Sequence, residues 1–287
     1  MAPTPTTADP AGRVDPAPSG RLVAGLRPPL TRPERVLAAM GHHLRVYRRT
    51  WRGSIISRFL SPLFFLAAMG LGLGSLVDSS AGGVGGQPYL QFVVPGIVAY
   101  QAALLGFGDA TYPVLGYIKW NRMYSATLST PLNVTDVLVG HLVVLSANLV
   151  VAVTTFIGIA ALFGSFTSWW VLLGIPIGLL TGLAFAVPTF AISASIETDN
   201  VFGVLYRFVL TPVLLFSGTF FPLEQLPAVL RPLAWATPLW HGVALTRDAA
   251  SGQSPGALGL VHLAVILAFI ATGWVLAHRA FTRRLLS

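Results

Sequence analysis

VLVGHLVVLSANLVVAVTTFIGIAALF, running from Val137 to Phe163, decides the fold class. It holds no Asp, Glu, Lys or Arg, and its one ionisable side chain is His141. A bilayer core takes roughly 20 mostly apolar residues in one helix. A helix apolar on every face belongs in a large core or a membrane. The stretch therefore reads as a membrane span. Five others share its character: Ile55–Val77, Tyr89–Leu115, Trp169–Ser195, Val201–Thr219 and Gly256–Ala277. The sequence predicts an all-α polytopic membrane protein with six transmembrane helices.

Composition agrees. Of the 287 residues, 54% are hydrophobic and only 10% charged, whereas soluble domains carry about 25% charge. Most cytosolic enzymes are excluded at this step. Without cysteine the chain makes no disulfide and no thiolate metal site. The net charge of +8 comes from 18 basic against 10 acidic residues. In a soluble protein that excess points to nucleic acid. Between membrane spans it reports topology, so no nucleic-acid partner is expected.

Arginines crowd the segment from Arg13 to Arg58. Lys119 and Arg122 follow the second span, and Arg279, Arg283 and Arg284 follow the sixth. The loops Asp78–Pro88 and Gly164–Ser168 carry no basic residue. The positive-inside rule then puts both termini and the Lys119 loop in the cytoplasm of a multi-pass protein of the cell inner (plasma) membrane. No signal-peptide pattern precedes the first span.

Outside the spans, residues 1–30 are rich in Pro, Ala, Thr and Gly and predict a disordered cytoplasmic tail. Thr31-Arg32-Pro33-Glu34 reads as a capping box with an early proline. Behind it Val36, Leu37, Met40, Leu44 and Tyr47 recur at helical spacing among basic residues. The spacing predicts an amphipathic helix over 31–54, lying on the membrane surface or serving as a soluble linker. Pro222, Pro227, Pro232 and Pro238 break the apolar segment near 220–250. It reads as short helices or a re-entrant hairpin. Gly174, Gly178 and Gly182 stand at four-residue intervals, a helix-packing stripe used within the chain or between two copies.

Motifs for catalysis are missing, so no catalytic residue is assigned. Lys119, the one lysine, follows Gly116-Tyr117-Ile118, whereas a phosphate loop needs Gly directly before Lys. Any use of ATP falls to a partner. Gly252-Gln253-Ser254-Pro255-Gly256 has the nucleophile-elbow spacing but lacks the strand-to-helix context, and Pro255 has no N–H for an oxyanion hole. Ser217 and His241 are the nearest candidates for an intramembrane serine protease, but Leu215 stands where that pattern wants glycine. The six histidines form no HExxH, and His42-His43 lies among arginines, so no metal is expected. Asn133-Val134-Thr135 matches a glycosylation sequon on the cytoplasmic side, where it reads as chance.

Polar groups at membrane depth are costly and so informative. Asp109 lies near the end of the second span, and His141 and Asn148 lie in the third. Glu197, Asp199 and Asn200 form the turn before the fifth, with Arg207 shortly after. Arg207 suits an ion pair with Asp199 or Asp109. A transport path through these groups is the other reading.

Several stretches together carry a family resemblance. They are Gly70-Leu71-Gly72-Leu73-Gly74; Tyr89-Leu90-Gln91-Phe92-Val93-Val94-Pro95-Gly96; Ala126 to Leu132 with Asp136; and Thr211-Pro212 with Phe216 to Pro227, continuing to Pro238-Leu239-Trp240-His241-Gly242. Over about Arg45 to Ser251 the chain resembles permease subunits of type-2 ABC exporters, similar to the nodulation-factor and daunorubicin-type drug exporters. The N-terminal tail has no counterpart in that pattern. The resemblance implies six spans, an interfacial N-terminal helix, a cytoplasmic coupling helix near 116–131 and re-entrant helices before the last span. It also implies a second permease, identical or related, and two copies of an ABC ATPase subunit carrying ATP and Mg, with no cofactor on this chain. Lys119, Asn121, Arg122, Tyr124, Thr130 and Pro131 would serve ATPase coupling. Asp109, Phe220, Phe221 and Glu224 would line the path or its exterior gate, or the two aromatics would simply pack the hairpin.

The expectation is therefore the transmembrane subunit of an ATP-driven exporter, not itself an enzyme. Few intramembrane charges suggest an amphipathic or lipid-like cargo, and membrane lipid is an expected partner. The rival readings are an ion-gradient-driven secondary transporter, with Asp109 as the coupling acid, and the serine protease.

Overall fold

The computed structural model describes residues 31–41, 60, 63–254 and 256–286. The predicted tail, the second half of the amphipathic helix and the start of the first span lie outside the described residues. Helix α1 (32–41) opens as its sequence suggests. The Glu34 carboxylate reaches back to accept the Thr31 N–H at 2.8 Å and the Thr31 hydroxyl at 2.9 Å. Those bonds satisfy a donor that a helix start leaves open. They also hold the Glu34 carboxyl below its usual range, the backbone N–H of Thr31 contributing most.

Helix α2 (Leu63–Ser80) is π-helical over Ala68–Gly74, the glycine-rich stretch of the sequence. It stops at Gly82 in the left-handed conformation, φ 67°. The Asp78 carboxylate then accepts the Tyr89 N–H at 2.8 Å, bridging the turn to the next helix. Helices α3 (Tyr89–Ala110) and α4 (Tyr112–Lys119) form one long path that bends at Thr111. Arg122, at φ 46°, leads into the short α5 (Met123–Leu128). Asn133 and Asp136 exchange side chain-to-backbone bonds at 2.9 and 3.1 Å, a full capping box starting α6 (Val134–Leu162). The amide of the apparent sequon is thus an N-cap.

A 3₁₀ turn, Trp169–Leu173, feeds α7 (Gly174–Ser195). Helix α8 (Asn200–Leu205), a π-helical turn Tyr206–Leu210 and α9 (Thr211–Phe216) run on as one helix. The chain then turns through Ser217–Thr219 and a 3₁₀ turn, Leu223–Gln225. Helices α10 (Arg231–Trp235), α11 (Pro238–Ser251) and α12 (Gly256–Leu286) complete the described chain. No strand occurs among the described residues; Val84 and Gln87 form an isolated bridge.

Five of these paths are long and apolar enough to cross a membrane: Leu63–Ser80, Tyr89–Lys119, Val134–Leu162, Trp169–Ser195 and Gly256–Leu286. The expected fifth span, Val201–Thr219, is instead the shorter helix Asn200–Phe216. At 1.5 Å per residue it extends about 25 Å, short of a hydrocarbon core of roughly 30 Å. It ends early because Gly218 takes φ 75° and turns the chain back. The proline-broken segment forms the short helices its sequence suggests.

Helix α7 is the hub, packed against α3, α6, α11 and α12. Lipid offers no hydrophobic drive for helices to associate, so close van der Waals fit must hold them. Gly174, Gly178 and Gly182 face α6 within the same chain. A Cβ on each would come within 3.1 Å of Ile157, 3.0 Å of Val153 and 2.7 Å of Leu149 respectively. Gly106 of α3 sits directly on the Gly182 carbonyl, and Gly273 of α12 sits on Pro188. The stripe therefore joins helices of one chain.

Candidate functional site

Two ends of the bundle hold the residues in question. At the first, basic end, α5 lies across the base of α6. Its outer face presents Arg122, Ser125, Ala126 and Ser129 to the surroundings, and the following Thr130-Pro131 turn is exposed as well. Its inner face carries Tyr124, which is fully buried. The Tyr124 hydroxyl and His141 Nδ1 form a hydrogen bond of 2.6 Å. Tyr117, Phe190 and Phe281 pack around this pair, with ring centroids 5.0–5.7 Å from His141 or Tyr124. Tyr124 is thus no surface contact; it ties α5 to α4, α6, α7 and α12. A six-residue helix has too few turns for periodicity to show which face is buried.

Lys119 is also engaged: its ammonium donates to the Glu197 carbonyl at 2.7 Å. The Glu197 carboxylate pairs with Arg284, one of the two hydrogen bonds measuring 3.0 Å. That guanidinium holds the Glu197 carboxyl below its ordinary range, with Lys119 adding a smaller push. The loop after α4, the loop after α7 and the end of α12 are therefore laced together. Helix α1 joins the same end. Arg35 Nε lies 3.7 Å from an Asp136 carboxylate oxygen, and Ala39 seats on Gly140. Leu37 of α1 points away from the bundle, 61% exposed.

Asn121 and Trp120 are exposed beside Arg122. Trp120, unflagged in the sequence, is a large apolar side chain on the same surface, 62% exposed. Asp109 is half-buried just before the Thr111 bend. Asp199 and Arg207 line one small cavity with Tyr112 and Phe208 but do not come within ion-pairing distance of each other. The carboxylate engaged at this turn is Glu197.

At the opposite end two of the quoted motifs meet. Gly96 of the Pro95-Gly96 pair faces Thr219, whose Cα would lie 3.0 Å from a Cβ there. Arg247 of α11 clamps the contact. Its guanidinium carbon stands 4.1 Å over the Phe92 ring, and Nη2 donates to the Gly218 carbonyl at 3.0 Å. A cavity of about 150 Å³ opens beside it, lined by Gln91, Ser165, Arg247 and Asp248 among others. Arg247 Nε and Ser165 Oγ are buried there without a hydrogen-bond partner. Arg247 falls in the proline-broken segment expected to form short helices or a re-entrant hairpin; only the fold reveals the clamp.

Phe221 packs with Phe216, Leu223, Leu226 and Trp240, while Phe220 packs on the main core. Glu224 is exposed, and its carbonyl accepts a 2.7 Å bond from Arg231. Ser217 and His241 are not a dyad. The Ser217 hydroxyl bonds Leu214 O and Thr219 Oγ1, both at 2.7 Å. The two His241 nitrogens are taken by His262 at 2.7 Å and Trp235 O at 2.9 Å. Among the described residues no group of three or more potential metal ligands occurs.

Helices of spanning length thus join a laced basic end with a short surface helix to an opposite end of short helices and turns. The family model for the ABC-2 type transporter matches residues 35–250. Nodulation protein J of Rhizobium leguminosarum bv. viciae is 30% identical over 251 residues, covering 87% of this chain and 95% of that protein. Nodulation protein J of Rhizobium leguminosarum bv. trifolii is 31% identical over 251 residues, 85% and 94% of the two chains. The inner membrane transport permease YadH of Escherichia coli is 23% identical over 249 residues, 81% and 90% of the two chains. The chain belongs to the ABC-2 type transporter family. Permeases of this family are membrane subunits that work with an ATPase subunit and are not themselves the ATPase. The match begins at Arg35, so it takes in most of α1, which the motifs quoted from the sequence did not reach.

Proposed function

We propose that this chain is the export permease of an ATP-driven complex, moving an amphipathic or lipid-like substrate outward from the cytoplasm or inner leaflet. Two such permeases, identical or related, would pair. Two ATPase subunits holding Mg and ATP would dock at the basic end, which the positive-inside rule assigns to the cytoplasm of the inner membrane. The observation that supports this best is the two-faced α5. Its outer face offers Arg122, Ser125 and Ser129 to a partner, while its inner face is bonded through Tyr124 to His141 of α6. A push on the outer face therefore reaches a spanning helix without passing through a mobile joint. Coupling needs the nucleotide state and the cargo to favour the same conformations.

The path would run from the basic end to the re-entrant end, where Phe220 and Phe221 would exclude water from the closed state. The test is co-expression with a candidate ABC ATPase, followed by ATP-dependent export of a fluorescent lipid or drug in inverted vesicles. Co-purification and ATP-dependent transport are expected. Transport that persists without ATP and stops when the ion gradient is dissipated would instead establish the secondary-transporter reading.

A further inference from the structure

Two histidines meet ring to ring at the end opposite the basic one. His241 of α11 and His262 of α12 are both buried, and their Nδ1 atoms lie 2.7 Å apart. The Trp235 carbonyl of α10 lies 2.9 Å from His241 Nε2 and can only accept, so that nitrogen carries a hydrogen. A neutral imidazole has one N–H. His241 Nδ1 is therefore the acceptor within the pair, and His262 Nδ1 the donor. His262 Nε2 is then a bare lone pair with no hydrogen-bond partner among the described residues. Trp240 stands nearly perpendicular to both rings, with centroids 5.0 Å away.

This geometry limits how many protons the pair can hold. One added proton goes to the His262 Nε2 lone pair and leaves the bond between the Nδ1 atoms in place. A second has only His241 Nδ1, the atom that accepts that bond, and two N–H groups cannot face each other at hydrogen-bond distance. Among the described residues no carboxylate lies within ion-pairing distance of either ring. The packed elements supply no other group to take the charge. Helix α7 and the Trp169–Leu173 turn hold no ionisable residue. On α11, Arg247 and Asp248 lie about 10 Å further along the axis. Arg231 of α10 is bonded to the Glu224 and Leu226 carbonyls, and Glu224 is exposed. Tyr89 and Tyr100 of α3 stay neutral over the imidazole range, and Asp136 and His141 of α6 belong to the basic end. We propose that His241 and His262 form a proton-operated latch. It holds the start of α11, and α10 with it, against α12, and it releases when acid on that side of the membrane loads both rings.

The test needs neither ATPase nor cargo, so its outcome is independent of the export reading. The chain has no cysteine, so Leu233→Cys and Leu260→Cys place two spin labels at exposed positions of α10 and α12. Distances between the labels are measured by pulsed electron resonance on the full chain in lipid nanodiscs, from about pH 8 to about pH 5. Below about pH 6.5 both wetted rings of the parted state carry an added proton, whereas the closed pair carries at most one. The ratio of separated to close populations should therefore rise by at least about tenfold per pH unit. In His262→Asn the amide can donate or accept in place of Nδ1 and does not titrate, so the close population should persist in acid. Deuterium exchange at the imidazole C2 atoms of the unmutated chain is the deciding measurement if that variant does not fold. His241 should gain its proton only over the range in which the labels separate. Distances unchanged down to about pH 5, separation undiminished in His262→Asn, or a protonated His241 in the closed bundle would each overturn the proposal.

Discussion

The Tyr124 hydroxyl and His141 Nδ1 lie 2.6 Å apart inside the bundle, although one belongs to a surface helix and the other to a spanning helix. The bond makes α5 an extension of α6. A force on its exposed side meets an aromatic packing layer, not solvent.

Tyr124→Phe removes that hydroxyl and keeps the ring. Stability should fall by about 1–3 kcal/mol, the range for stranding a buried polar atom. ATP-driven transport should fall further than ATPase binding does. Thermal melting in detergent and a pull-down beside a transport assay separate the two. Transport and melting both at wild-type levels would remove the lever from the mechanism.

Arg122 separates docking from folding. Its left-handed conformation disfavours any side chain, so Arg122→Gly should gain up to about 1 kcal/mol in stability while losing the surface charge. Arg122→Glu should keep the fold and weaken ATPase capture. Both variants should lower complex yield, and only the glycine variant should raise the melting temperature. Unchanged complex yield in the glutamate variant would place docking elsewhere.

Glu197 predicts an acid limb. Its carboxyl titrates below its ordinary range because Arg284 stabilises the charged form. Its contribution to stability is therefore present above the usual carboxylate value of about 4.3 and drains away as pH falls through the lower folded-state value. Melting temperature measured from neutral to strongly acid conditions should fall less in Glu197→Gln than in wild type. The difference should be small, since an exposed pair is screened by solvent. Superimposable pH profiles would mean the pair does not form in solution.

The glycine stripe predicts a graded series. Gly182→Ala places a methyl 2.7 Å from Leu149, whereas the Gly174→Ala methyl meets Ile157 at 3.1 Å. Overpacking costs about 1–3 kcal/mol, so Gly182→Ala should lower melting and yield more than Gly174→Ala. A shift in dimerisation with unchanged melting would make the stripe an interface between copies.

Ser217 closes the protease question. Its hydroxyl is bonded to Leu214 and Thr219, and His241 is occupied elsewhere. A fluorophosphonate probe should leave the chain unlabelled, and Ser217→Ala should retain transport. Labelling at Ser217 that the alanine variant abolishes would reinstate the nucleophile.

Most span positions and the cap of α1 were legible because they depend on local apolar runs and on residues three apart, whereas Asn133, the cap of α6, read only as part of a sequon. The four-residue glycine spacing was legible too, but not its partner, since α6 presents Leu149, Val153 and Ile157 only after the bundle folds. The inward turn of Tyr124 was not legible for a similar reason. His141 stood out as polar at depth, yet its partner lies in a helix too short to show a face. The clamp by Arg247 was not legible because nothing local links it to Phe92 or Gly218. The contact of Gly96 with Thr219 likewise needs two motifs far apart in the chain to be brought together.

Lys119, the only lysine in the chain, spends its ammonium on the Glu197 carbonyl. The permease thereby carries one side-chain amine, placed on the seam between two loops. Its side chain is exposed, and the bond to the carbonyl should slow acylation while the seam is closed. The rate of acylation at this single position becomes a built-in clock for loop separation, readable by mass spectrometry without introducing a label or a cysteine.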